Sequence, residues 1–240
     1  MPGTEAAPSL PIRVALFVSS LEGHRILADL LAAADERRHH IVGVVTDNPY
    51  ASYTNAKSRL WARLDEEESR RRMALVRDLC TQHGLPCYDG RIYAPASKPA
   101  ARAEAASFAQ RFAEVWRPDV AYMCVFGQRV PPVVFTTPRL GFFNAHPSRI
   151  ERLDQWPRYG GPAPFRAMRE AGETRFNFVL HHIDDTFDGG RAVGISADVP
   201  LATIPGKGMT RETRSAANAA ASQVIRDHLD RLVAHAPVEA

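Results

Sequence analysis

Four short apolar runs constrain this chain more than anything else in it: Ile12–Val18 (IRVALFV), Ile41–Thr46 (IVGVVT), Asp119–Phe126 (DVAYMCVF) and Gly141–Ala145 (GFFNA). Each is short for a helix and too evenly apolar for a strand with one wet face, so each reads as a strand buried on both sides. Between the first two, Ile26, Leu27, Leu30, Leu31 and Ala34 recur at helical spacing. Strand, helix and strand in that order imply a parallel pair joined by a crossover. Further helices are expected over Glu66–His83, where Gly84 stands at the stop position, and over Pro99–Trp116, Gly161–Glu170 and Thr210–Ala234. Thr174–Ile183 and Arg191–Pro200 read as two more strands, antiparallel to each other. Asn48 to Asp65, with Tyr50, Tyr53, Asn55 and Lys57, has no period and reads as surface loop or short helix. The fold class implied is α/β: a Rossmann-like, mostly parallel sheet flanked by helices in one domain.

Composition narrows the function classes. The chain is 45% apolar and 24% charged, the range of a soluble globular protein. A net charge of +3 is too small to imply nucleic-acid binding, and Arg70–Arg72 follow the acidic run Asp65–Glu68, so that stretch is a balanced, solvated helix face. Three cysteines, Cys80, Cys87 and Cys124, without a C-x-x-C pair, point away from a disulfide framework or a zinc site and toward a reducing cytoplasm. The first residues lack the basic start and apolar core of a signal peptide, and no run approaches the roughly 18 apolar residues that span a bilayer.

Most candidate motifs dissolve on inspection. Leu16–Leu27 holds one glycine, so a dinucleotide loop is excluded and a plain β–α turn with Ser20 capping is expected. The pairs His39-His40 and His181-His182 cannot chelate one metal, because neighbours on a strand face opposite ways. The first pair is expected at the surface; of the second, one ring should line a cleft. Asn144 and His146 differ from these. They follow an apolar run at the C-terminal end of an expected central strand, where α/β folds place reactive groups, and being two apart they share a face. An amide donor beside an imidazole suits stabilising an oxyanion on a carbonyl under attack. A second polar cluster, Asp184, Asp185 and Asp188, ends another strand; a carboxylate there could keep the imidazole protonated and pass on a nucleophile's proton.

Taken together, Asn144-Ala-His146-Pro147-Ser148, Tyr159-Gly-Gly161-Pro162-Ala-Pro164, Ala167-Met168 through Gly172-Glu173, and His181-His-Ile-Asp184 through Asp188-Gly-Gly190 resemble the catalytic domain of the formyltransferase family. Phe126-Gly127-Gln128-Arg129-Val130-Pro131 is similar to that family's segment beside the folate pterin. The resemblance implies a formyltransferase-type catalytic domain over residues 12–205, after a flexible N-terminus (1–11) and before a C-terminal helix (206–240) packed on the same domain. It implies 10-formyltetrahydrofolate as co-substrate, an amine as acceptor and no metal. Asn144 would bond the formyl oxygen, His146 would protonate or stabilise the oxyanion, and Asp188 would orient His146 and accept the amine proton. Val125, Phe126, Gly127, Gln128, Arg129, Val130, Ile183, Asp184 and Asp185 would contact the cofactor, largely through the main chain. Ser19, Ser20, His24, Tyr50, Ser148, Tyr159 and Gly161 would contact the acceptor.

Departures from the family pattern point to the acceptor. Arg149–Trp156 is an insertion after His-Pro-Ser, expected to shape an acceptor pocket or an oligomer contact; without it the 44 residues from Asn144 to Asp188 shrink to the family spacing. The first loop lacks the glycine-rich phosphate cradle of the glycinamide ribonucleotide enzymes, and no barrel domain like that of the tRNA enzymes is expected after it. The expected function is therefore formyl transfer to an amine of a specialised small molecule, an amino-sugar nucleotide or natural-product intermediate. A 10-formyltetrahydrofolate hydrolase and a silent folate-binding module are the alternatives. Expected partners are a small amine, neither nucleic acid nor membrane, with homodimer formation left open.

Overall fold

The apolar runs do become adjacent strands. A computed structural model describes residues 11–34, 39–47, 66–94, 97–155, 158–161, 163–186, 188–204 and 208–235. β1 (Ile12–Val18), β2 (His39–Val45), β3 (Cys87–Tyr88), β4 (Val120–Cys124) and β5 (Phe142–Ser148) are mutually parallel, in the order β3-β2-β1-β4-β5. β6 (Arg175–His182) runs antiparallel to β5, and both β7 (Ala192–Ile195) and β8 (Val199–Pro200) run antiparallel to β6. β9 (Thr203–Ile204) and β10 (Gly208–Met209) form a small separate ribbon.

Residue alternation assigns the two faces of the sheet. Val14, Leu16 and Val18 of β1 join one core with Ile26, Leu27 and Leu30 of α1 (Ser20–Ala34). Val76, Leu79 and Cys80 of α2 (Glu66–Gln82) and Val224, Ile225 and Leu229 of the C-terminal helix complete it. Ala15 and Phe17 face the other way, into an aromatic core with Phe108, Phe112 and Trp116. Phe17 stands amid four phenylalanine rings there, Phe142 being nearest at 4.8 Å between centroids. The two cores explain why the first strand is apolar throughout.

The helix expected over Pro99–Trp116 is one α-helix, α3 (Pro99–Arg111), that widens into a π-turn over Phe112–Trp116 and stops at left-handed Arg117. The widening delivers Trp116 against Gly43, where an added Cβ would lie 2.5 Å from the indole. α4 (Pro132–Phe135) and α5 (Pro164–Glu170) are short and open on prolines, whose absent N–H is no loss in a first turn. α6 (Arg211–His235) is the C-terminal helix and packs on α1, β6, β7 and β8. His39, expected at the surface, is instead buried at the start of β2, because that strand begins two residues earlier than its apolar run; His40 is exposed. Among the described residues no helix is long and apolar enough to cross a membrane.

Candidate active site

The chain leaves β1 toward β2 on one side and reaches β4 and β5 on the other, so the crevice where the strand order reverses opens over the C-terminal ends of β1 and β4. Three loops meet at that end. Ser19 Oγ donates to the Asp47 carboxylate (3.1 Å) and accepts from the Asp47 amide (2.9 Å), and the same carboxylate accepts from the Gly127 amide. Asp47 thereby ties the ends of β1 and β2 to the loop after β4. Gly127 is required by that closeness: an added Cβ would meet the carboxylate at 2.6 Å. Gln128 extends the tie, since its amide accepts from Ile92 N (3.0 Å) and donates to Gly90 O (3.1 Å). The loop Val125–Val130 is thus held from behind by side chains, with Val125 at φ +52°, a conformation costly for a β-branched residue.

β5 presents Asn144 and His146, both buried, toward Asp188. His146 Nε2 lies 3.1 Å from the Tyr159 carbonyl, so it carries the proton and donates, which turns Nδ1 toward Asp188 Oδ1 at 3.9 Å. Asn144 sits directly opposite His181 in the antiparallel β5–β6 register. Its Nδ2 donates to His181 Nε2 (3.4 Å) and to Asp188 Oδ1 (3.3 Å). The His181 tautomer follows from its other nitrogen: Nδ1 donates to the His182 carbonyl (2.9 Å), leaving Nε2 as a lone pair. Burial, above all, holds the His181 pKa below the ordinary histidine value and favours this neutral ring. Asp188 is itself left-handed at φ +51° and receives the Gly161 amide on Oδ2 at 2.8 Å. Tyr159, whose carbonyl holds His146, is left-handed too, at φ +62°.

Asn144 and Asp188 stand in the wall between two cavities. The smaller, about 170 Å³, is lined by Val130, His181, Ile183 and Asp184 to Thr186. The larger, about 350 Å³, is lined by Val125 to Gly127, His146, Pro147, Gly161, Phe165 and Phe178. Met123, Gln128 and Arg129 border both.

The expected cofactor residues divide between these cavities: Val130, Ile183, Asp184 and Asp185 at the smaller, Val125, Phe126 and Gly127 at the larger, Gln128 and Arg129 at both. The expected acceptor residues scatter. Gly161 lines the larger cavity. Ser148 is fully buried, donates to Arg158 O and accepts from Arg158 N, latching the chain ahead of Tyr159. Tyr159 sends its hydroxyl to Glu173 (2.7 Å). Ser19 serves Asp47, and Ser20 does not cap α1 but sits at φ +66° with its hydroxyl on Glu22 (2.7 Å). His24 is half-buried on α1, and Tyr50 lies outside the described residues.

Residues 149–155 line neither cavity. Ile150 is buried with Val179 and Ala192, its backbone held at both ends by the Asn177 amide, and Arg149 pairs with Glu151, Glu173 and Asp198. Asp47 and His181 are the site residues that sequence reasoning did not assign. The one available signal was a polar residue at the end of a buried strand. Among the described residues, no group of three or more histidine, cysteine, aspartate or glutamate side chains could hold a metal ion.

No family model matches the chain. Its sequence is similar to methionyl-tRNA formyltransferases: 32% identical to that of Bartonella quintana over 83 residues, 35% of this chain and 25% of the relative. It is 30% identical to that of Ectopseudomonas mendocina over 117 residues, 48% of this chain and 31% of the relative. The chain thus spans about a quarter to a third of the length of these relatives. The fold matches phosphoribosylglycinamide formyltransferase from Bacillus halodurans (TM-score 0.65, 17% identity, 94% of this chain and 97% of that one). It also matches a formyltetrahydrofolate deformylase from Pseudomonas syringae (TM-score 0.62, 18% identity, 93% and 63%). Sequence relatives and fold neighbours are both of the formyltransferase family, as the motif resemblance implied.

Proposed function

We propose, from the formyltransferase likeness of both sequence and fold, that this chain transfers a formyl group from 10-formyltetrahydrofolate to an amine of a specialised small molecule. Of the acceptors expected from the sequence, an amino-sugar nucleotide and a natural-product intermediate, the cavities favour the second, as argued below. The observation that carries the reading is the convergence of Asn144 and Asp188, in the wall between two cavities, with His146 at the larger one, which leaves one cavity for each substrate. The smaller cavity suits a flat heterocycle, with apolar walls at Val130 and Ile183 and polar residues at Gln128, Asn144 and Asp184 to Thr186. The co-substrate supplies the formyl group. A new bond forms from the acceptor nitrogen to the formyl carbon and the bond from that carbon to the folate nitrogen breaks; one proton leaves the amine and one joins the folate nitrogen, giving an N-formyl amine and tetrahydrofolate.

The chain's own groups suit each part of this exchange. The Asn144 N–H bonds to Asp188 and His181 are long, so one can be given to a formyl oxygen at little cost. His146 sets its ring beside Asp188 and next to the same oxygen, and Asp188 takes the proton the amine loses. The left-handed Asp188 and Tyr159 hold the carboxylate and the imidazole before substrate arrives.

Steady-state formyl transfer by purified protein, followed as tetrahydrofolate and N-formyl product, tests this. Asn144→Ala and His146→Ala are each expected to lower kcat by about 10²–10⁴-fold with the fold intact by circular dichroism. Undiminished transfer in either variant overturns the assignment. Formate release at the same rate without any amine would instead make the chain a hydrolase.

A further inference from the structure

The walls of the larger cavity say what kind of amine it takes. They are formed by Met123, Val125, Phe126, Pro147, Phe165 and Phe178, and of the polar lining groups Asn144, His146 and Asp188 stand together. Among the described residues, Arg129 is the one arginine or lysine lining either cavity. It is exposed at their shared border with its guanidinium 5.7 Å from the Tyr93 ring centre. A phosphate or diphosphate would enter with no basic pair to receive it.

The β1–α1 turn, where parallel α/β folds cradle phosphate on helix amides, is closed to an anion as well. Ser19 and Ser20 are 6% and 1% exposed, and the Gly23 amide bonds Ser19 O. Two carboxylates stand at that end of α1: Glu22 on the Ser20 hydroxyl and Asp47 on Ser19. Their charge opposes a phosphate where the helix dipole would otherwise attract one. At about 350 Å³ the cavity also lies near the low end of ligand pockets, which run from roughly 300 to 1,000 Å³.

We infer that the acceptor is a small primary amine with an aliphatic or aromatic body and no phosphate, its nitrogen at Asp188 and its body against Phe165 and Phe178. The inference rests on the formyl-transfer reading and narrows it.

The test compares phenethylamine with O-phosphoethanolamine, both as formyl acceptors with 10-formyltetrahydrofolate and as ligands by titration calorimetry. Phenethylamine is expected to show kcat/KM and affinity about tenfold or more higher, from burial of its ring. Phe165→Lys is expected to raise KM for phenethylamine about tenfold, shift preference toward the phosphorylated amine and leave KM for the folate unchanged. Equal or better use or binding of O-phosphoethanolamine by the native chain overturns the inference, as does binding of neither amine. Preferential binding of phenethylamine without any formyl product would overturn the transfer reading while leaving the apolar-amine site standing.

Discussion

A buried primary amide has two N–H groups to satisfy, and in this site both of Asn144's point at acceptors that hold it in place. One is a histidine lone pair whose availability depends on a backbone carbonyl one residue further on. In the proposed reaction His181 is therefore a positioning residue, reaching the formyl oxygen only through Asn144. Replacing His181 with leucine is expected to lower kcat about tenfold or more while KM for the folate stays within about twofold; glutamine, which restores an acceptor, is expected to recover much of the loss. Equal losses in both variants, or a loss confined to KM, would show that the ring only fills space. Asn144 and His146 were legible as polar residues closing an apolar run, and Asp188 through the family spacing. His181 was not, because two adjacent histidines on a strand look alike until strand register decides which faces the amide.

Elements repeat this division. The strands β1, β2, β4 and β5 were readable because burial on both faces demands unbroken apolar runs, and α5 falls inside the helix expected over Gly161–Glu170. The π-turn after α3 carries no such mark; it arises because Trp116 must reach the Gly43 backbone, a contact across 73 positions of chain. The insertion Arg149–Trp156 was expected to shape an acceptor pocket or an oligomer contact; its residues 149–155 line neither cavity and are anchored on β6, since charge and aromatic content do not reveal where a loop is anchored. Its anchor is Asn177, 2% exposed, which bonds both Ile150 N and Ile150 O. Asn177→Ala leaves those buried groups unsatisfied and is expected to cost about 1–3 kcal/mol by denaturant unfolding. Amide exchange should quicken across residues 149–155 while kcat is retained; a marked loss of kcat would place the insertion in the working site after all.

At the scale of the whole molecule, α6 is fastened to the sheet by one buried polar pair, Tyr122 OH and His228 Nδ1 at 2.7 Å, beneath the Phe143 ring. Burial, chiefly, lowers the His228 pKa from 6.5 to about 4, so the folded chain keeps this ring neutral where the unfolded chain protonates it. Its stability contribution is complete above pH 6.5 and drains away as pH falls toward 4. His228→Gln keeps an acceptor for Tyr122 but cannot titrate, so its Tm should fall less than that of the native chain across that window. Parallel curves would remove His228 from the acid response. By itself the sequence determined the α/β class, the polar ends of the strands and Asn144 and His146 as the polar close of a buried strand, because burial period and residue type are local properties. Only the tertiary structure decided that Asp47 braces the Val125–Val130 loop, that His181 aims Asn144, and that the inserted segment lies away from both cavities. Those facts depend on which distant backbone groups meet, and neither spacing nor composition encodes a meeting between elements.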